Sequence, residues 1–295
     1  MRNLFRSFLF RLRKDLTFRI TLFVGLGLAV VMTLIYLAID LIAKASDDSG
    51  TYQFMFATGQ SLFIASLSPA QNFGIAIPVN LITFTVLEFT QGTIRNKIIT
   101  GNSKSKIYFN LVLSGLVFTI ALIGTYSLLC LALGSICGGF DINGSIMYSG
   151  NVIASLMGGA TINGEFFLKL IILALLAYVL ITVVTIFFAT LFRSIGPSIP
   201  VVIILIMICY LGATIFGSIT SITYDEQLPQ YIINISQFMK IANPFYSLSV
   251  YGFDSETSKY IISNEYFWWE VGNNLVYSSL FLIGGWLIFR KRDVK

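Results

Sequence analysis

Gly101-Asn102-Ser103-Lys104-Ser105 comes nearest to a phosphate-binding loop in this sequence. Such a loop needs a glycine directly before its Lys-Ser or Lys-Thr, so that backbone amides cradle the phosphates while the lysine meets the terminal ones. Here Ser103 precedes Lys104, no strand leads into the stretch, and nucleotide binding is not expected of this chain. The sequence has no histidine, which removes histidine general bases and histidine-ligated metals together. Carboxylates do not cluster on a common helix face. Cys130, Cys137 and Cys209 lack CxxC spacing, lie inside or at the end of hydrophobic runs, and read as small apolar residues. No catalytic residue, no metal site and no bound cofactor is therefore expected.

The remaining chemistry is electrostatic. Asp40 and Glu88 are the acids that fall within apolar runs, near the outer end of the first and at the inner end of the second. A mid-bilayer carboxylate is costly, about 2.5 to 3.5 kcal/mol on insertion scales, and less so near the interface. For Glu88 two readings stand: an ion pair with an arginine or lysine of the N-terminal helix, or a solvated interfacial residue. Glu88 opens the stretch EFTQGTIRNKIITGNSKSKIYFN, a short basic break between two hydrophobic runs. Gly92 can end one helix, Thr93 can cap a new one and Gly101 can end it. The intervening residues make a helix of roughly 10 Å. Ile94, Ile98 and Ile99 are expected on one face, with Arg95, Asn96 and Lys97 more polar, giving a knob suited to docking on another protein.

The elements that position these residues follow from composition. Of 295 residues 56% are hydrophobic and 11% charged, against roughly 25% charged in soluble domains. The apolar residues form blocks long enough to cross a hydrocarbon core of ~30 Å, and they lack the alternation of a membrane β-barrel. The expected fold is an all-α polytopic membrane domain over residues 20–295. Its six spans are placed near 20–43, 72–89, 108–136, 166–192, 198–218 and 271–289. The second is short, contains Pro78, and can begin as early as Leu62 to Leu67.

Residues 1–19 read as an amphipathic interfacial helix. Leu4, Phe5, Phe8, Leu9 and Leu12 form its apolar side, and Arg2, Arg6, Arg13 and Lys14 are available to anionic headgroups. Ala43-Lys44-Ala45 resembles a signal-peptidase site, but the preceding apolar run is too long for a signal peptide core, so the first span is expected to be retained. With both termini cytoplasmic, every Lys and Arg except Lys44, Lys169, Lys240 and Lys259 falls in an inner segment, while most acids fall outside, as the positive-inside rule requires. The bilayer accounts for the basic charge, and no nucleic-acid partner is expected. Outside, residues 45–71 and 137–165 read as polar loops. Residues 219–270 read as an interfacial or re-entrant segment, with short helices over 235–251 broken at Asn243-Pro244. Trp268 and Trp269, beside Tyr266 and Phe267, read as an aromatic anchor for the last span.

The pattern E-F-x-x-G-T-I-R-N-K-I, followed by a serine-basic stretch and Ile107-Tyr108, resembles the permeases of the ABC-2 family. Asn243-Pro244-Phe245 and the ending IFRKRDVK resemble that family too. The likeness spans the chain in architecture and is sharp over Glu88 to Tyr108, where Lys104 or Lys106 stands for the family's usual arginine. It implies a type V exporter fold in which Gly92, Thr93, Ile94, Arg95, Asn96, Lys97, Ile98 and Ile99 form a coupling helix. That helix would dock on a separate ATPase subunit, present in two copies and binding ATP and Mg. It also implies a second permease copy, most simply a homodimer, a transmitting role for Glu88, and location in a cell membrane, most simply a bacterial cytoplasmic one. The aromatic-rich spans point to an amphipathic or hydrophobic cargo such as a small peptide, toxin or drug. A permease for lipid-linked glycans, an ion-gradient transporter using Asp40 and a non-transporting immunity protein stay open beside it.

Overall fold

The computed structural model describes residues 2–46, 54–68, 73–142, 144–146, 160–222, 238, 242–245, 252–254 and 259–292. Helix α1 (Arg2–Lys14) is a short basic helix. Asp15 separates it from α2 (Leu16–Ala45) and caps α2 by accepting a hydrogen bond from Thr17 N at 3.1 Å. The buried side of α2 carries Gly25, Ala29 and Thr33, spaced by one turn, and its other faces expose Phe23, Leu34, Ile42 and similar residues. A helix that is small on its packed side and greasy on its exposed side suits a bilayer and fails in water.

A nine-residue helix, α3 (Gly59–Leu67), lies where a polar loop was expected; it is buried and pressed against α6 (Lys104–Gly138). Glycines permit this approach. A Cβ on Gly134 would lie 2.7 Å from Thr58 O, and one on Gly138 would lie 2.9 Å from Ala57 O. The carboxylate of Asp40 fixes the chain entering α3, accepting hydrogen bonds from the backbone amides of Met55, Phe56 and Ala57 at 2.6 to 3.2 Å.

Next come α4 (Phe73–Thr90), which contains Pro78, and α5 (Thr93–Ile99), joined at Gly92 with φ +66°. The pair bends by 55° at this break. The rest of the bundle is α7 (Gly164–Phe192), α8 (Ile195–Ile222) and α9 (Asn264–Lys291). Helix α7 is the most buried of the long helices and packs against α4, α6, α8 and α9.

Among the described residues five helices, α2, α6, α7, α8 and α9, are long and apolar enough to cross a membrane, and α4 joins them if the bent pair with α5 forms one span. The chain is thus a multi-pass membrane protein. Each expected span falls on a helix, residue 72 lying outside the described residues. Helices α2, α6, α7, α8 and α9 all begin a few residues earlier in the chain than expected. Helix α6 begins at Lys104 because the Ser103 hydroxyl accepts Lys106 N at 3.4 Å. Helix α9 begins at Asn264, so Trp268 and Trp269 belong to its first turns, where both are exposed.

At the end of the bundle away from the N-terminal helix, four strands of two or three residues form a sheet of order β1-β2-β4-β3. They are β1 (Ser145–Ile146), β2 (Ala160–Thr161), β3 (Gly252–Asp254) and β4 (Lys259–Ile261). Parallel pairing of β2 with β4 at Thr161 and Lys259 ties together the segments that lead into α7 and α9. Strands this short leave no periodic trace in sequence. Of the helices expected within 235–251, residues 235–237, 239–241 and 246–251 lie outside the described residues. The Asn243-Pro244-Phe245 turn is held by Asn243 Nδ2 on Cys209 O (2.6 Å), Asn274 Nδ2 on Pro244 O (3.0 Å) and Tyr277 Oη on Ala242 O (3.1 Å).

Candidate functional site at the α1, α4 and α5 junction

Glu88 sits in the last turn of α4 with its side chain 1% exposed, held between two cations. Lys97 Nζ, on α5, lies 2.8 Å from Oε2 in a hydrogen-bonded ion pair. Arg11 Nη1, on α1, lies 2.8 Å from Oε1. That second contact is one of charge without hydrogen-bond alignment, because the guanidinium is aimed elsewhere. Nη1 donates to Thr93 Oγ1 and Nη2 to Gln91 Oε1, both at 2.7 Å. One buried carboxylate thus joins three helices, and the arginine also grips the turn that separates two of them.

Local sequence explains the geometry. Gly92 takes the left-handed conformation that lets the chain turn out of α4, and it occupies the cap position expected of Thr93. Thr93 is instead the first helical residue, and its hydroxyl serves Arg11. Gly101, at φ +89°, ends the segment, and the Lys97 carbonyl accepts from Asn102 N, Asn102 Nδ2 and Thr100 Oγ1 at 3.0 to 3.2 Å.

The ammonium of Lys97 also lies 3.3 Å from the centre of the Phe8 ring, a cation–π contact that gains strength out of water. Phe8 is fully buried. Burial pushes the Lys97 pKa below its usual value, while the hydrogen bond and charge of Glu88 oppose the fall and the charge of Arg11 adds to it. The carboxylate is what keeps a positive lysine tenable in this position.

The structure divides the eight residues of the predicted knob. Ile94 and Lys97 are buried and Ile98 is partly buried, while Arg95, Asn96 and Ile99 face outward, Ile99 being 72% exposed. Two expectations change. Lys97 is an internal ion-pair partner, not an outward docking charge. Ile99 does not share a face with Ile94, since five residues of helix place them about 140° apart, whereas Ile98 and Lys97 stay within about 60° of it.

The N-terminal basic residues divide as well. Arg6, Arg13 and Lys14 are exposed, and the Arg2 side chain lies outside the described residues. Arg11 makes the contact. Sequence reasoning counted it only as a topological charge. The available signal was its place one turn beyond Phe8, on the side of α1 that packs inward.

The phosphate-loop look-alike has a structural use. Lys104 Nζ donates to the carbonyls of Arg290 (3.4 Å) and Arg292 (2.9 Å), and Ser105 Oγ accepts from Trp286 Nε1 at 2.9 Å. These contacts tie the start of α6 to the C-terminal end of α9, where a cation complements the helix dipole. Among the described residues, no three His, Cys, Asp or Glu side chains gather into a metal-binding group.

No protein-family model and no curated protein matches this chain. The arrangement can hold a short surface helix rigidly against the end of α4, so that force on one moves the other.

Proposed function

We propose that this chain is the membrane-embedded permease half of an ABC-2 type exporter, powered by a separate ATPase subunit. The observation that carries the reading is the Arg11–Glu88–Lys97 junction, which fastens α5 to α4 and α1. In this reading α5 is the coupling helix. Arg95, Asn96 and Ile99 enter a groove on the ATPase, and Ile94, Lys97 and Ile98 anchor the helix from behind.

In this reading the chain crosses a bacterial cell membrane six times, with both termini and α5 on the cytoplasmic side. Two permease copies join two ATPase subunits, which bind ATP and Mg. Closure of the ATPases on ATP tilts α5, and the buried ion pairs pass that tilt to α4 and α1 as a rigid-body motion. An amphipathic or hydrophobic cargo, such as a small peptide, toxin or drug, leaves between the copies. For an ion-gradient transporter Asp40 is the candidate titrating group, but its carboxylate is occupied with the backbone amides of residues 55–57, which suits an anchor better than a proton carrier.

The test is co-purification and reconstitution with the separate Walker-motif ATPase that this reading requires. Cargo should accelerate ATP hydrolysis in the complex and leave the isolated ATPase unaffected. Transport by this chain alone, driven by an ion gradient without ATP, would overturn the reading.

A further inference from the structure

Helix α1 presents two unlike faces. Phe8 and Arg11, one turn apart, face the bundle: Phe8 is fully buried against Lys97, and Arg11 reaches Glu88, Thr93 and Gln91. Arg6 and Arg13 each sit two positions from one of these, about 160° around the helix, and both are exposed. Arg6, Phe10 and Lys14 follow one another at i, i+4 spacing as an outer row. The Lys14 ammonium lies 4.5 Å from the centre of the Phe10 ring, and Phe10 is 60% exposed. Phe8, expected on the apolar side of an interfacial helix, is thus taken by protein, and the basic row is what remains outside.

Among the described residues the ion pairs are Arg11–Glu88, Lys97–Glu88 and Lys169–Glu165, so no carboxylate pairs with Arg6, Arg13, Lys14 or Arg19. Arg19 folds back from α2 to donate to the carbonyls of Arg13 and Lys14, both at 3.3 Å, which adds a cation at the corner between the helices. Depth is set by α2. Directly after the corner, Leu16, Ile20 and Phe23 are exposed at the start of a membrane span, so the outer side of α1 lies level with the headgroups.

We propose that the outer face of α1 binds anionic phospholipid headgroups, and that this lipid clamps α1 onto the Glu88–Lys97 pair. Cations around one exposed aromatic fit that partner, since phosphates meet the cations while the ring enters the acyl boundary. Exposed apolar side chains continue from Phe10 through Leu16 and Ile20 along the span, a surface that a bilayer covers and a soluble partner cannot reach. Lipid that binds the docked form of α1 stabilises that form by linkage, and Phe8 and Arg11 pass the gain to α5. The device depends on the junction alone and holds whether or not the chain is an exporter permease.

The experiment measures amide hydrogen exchange of the full chain in nanodiscs of phosphatidylcholine, with and without phosphatidylglycerol, at low salt and at ~1 M salt, where the Debye length falls to about 3 Å. Phosphatidylglycerol at low salt should slow exchange in α1 and α5 alike, by about fivefold for a single engaged cation and more for several. High salt should erase this gain and leave exchange in phosphatidylcholine unchanged, because a buried pair is little screened. The combined variant Arg6→Gln, Arg13→Gln, Lys14→Gln should match wild type in phosphatidylcholine and gain nothing from phosphatidylglycerol. Equal exchange in the two lipids would overturn the proposal and leave the basic face to a protein partner. Protection of α1 without α5 would overturn the clamp. A response preserved in the triple variant would overturn the site by placing the lipid elsewhere. Should that variant fail to fold, the salt series decides: protection that survives high salt is not held by headgroup charge and defeats the proposal.

Discussion

Lys97 Nζ lies 3.3 Å from the centre of the Phe8 ring, so a helix at the chain's N-terminus and the short helix after α4 share one buried cation. Glu88 completes the contact from a third helix. Removing one partner of a buried pair usually costs about 3 to 5 kcal/mol, because the other charge is left uncompensated. Glu88→Gln is therefore expected to lower thermal stability more than Lys97→Met, which leaves Glu88 its contact with Arg11. The double variant should recover part of the loss of Glu88→Gln. Melting curves of the four proteins form a double-mutant cycle, and strictly additive losses would show that the pair is not coupled. Under the exporter reading, Glu88→Gln should also insert and assemble but lose cargo-stimulated ATP hydrolysis.

Under the exporter reading, the outward face of α5 is expected to carry partner binding without carrying stability. Arg95→Glu together with Ile99→Asp should abolish co-purification of the ATPase subunit while melting stays within about 0.5 kcal/mol of wild type, as is usual for surface substitutions. Lys97 must stay intact in this experiment, since reversing its charge would break the Glu88 pair and confound docking with folding. An intact complex in the Arg95 and Ile99 variant would assign these residues to membrane topology alone.

Glycines on α6 should differ sharply by position. Gly134→Ala places its Cβ 2.7 Å from the Thr58 carbonyl oxygen, a backbone atom that cannot swing away. Separating α3 from α6 should cost about 1 to 3 kcal/mol. Gly124→Ala meets nothing within 4 Å and should be neutral or stabilising by up to about 1 kcal/mol, because alanine favours the helix. Paired melting curves in one detergent check both, and similar losses at the two sites would contradict the packing described.

Asp40→Asn separates two roles for that acid. An amide still accepts hydrogen bonds but loses the charge that strengthens those from residues 55–57, so a loss of about 1 to 3 kcal/mol is expected. Cargo transport, measured in vesicles below the melting transition, should survive. Abolished transport with unchanged melting would instead favour a titrating role.

What was legible in sequence was what hydrophobic length and charge reveal. Every long helix was located because apolar runs must match the bilayer, and the turn at Gly92 was located because glycine there lets the chain bend sharply. The site was legible in part. Glu88 stood out as an acid at the edge of an apolar run, but Arg11 did not, because pairing across 77 positions of chain depends on how α1 folds back. The inward turn of Lys97 was hidden because a lysine beside a membrane reads as solvated until its neighbours are known. Helix α3 was foreshadowed only as an early start of the second span within Leu62 to Leu67; Gln60, Ser61 and Ser66 make the rest look like a loop, while Asp40 and the α6 glycines bury it.

The lowered pKa of Lys97 gives a pH prediction whose sign can be worked out. In the unfolded chain this lysine titrates near its ordinary value of 10.5, and in the folded protein it titrates lower. Between the two values the unfolded state binds more protons, so folding stability contributed by this group rises with pH through that window. Below the folded value its unfavourable contribution is constant. Each neighbour then shifts the midpoint in a predictable direction. Glu88→Gln removes the hydrogen bond and charge that hold it up, so the midpoint should fall further. Arg11→Gln removes a charge that pushes it down, so the midpoint should rise toward 10.5. Titration of ¹³C,¹⁵N-lysine side-chain NMR signals, with Lys97 assigned by its loss in Lys97→Met, reads all three midpoints. Opposite shifts in the two variants are the expected result, and a shared direction would mean that burial alone controls the group and that the Glu88 pair is not formed in the folded chain.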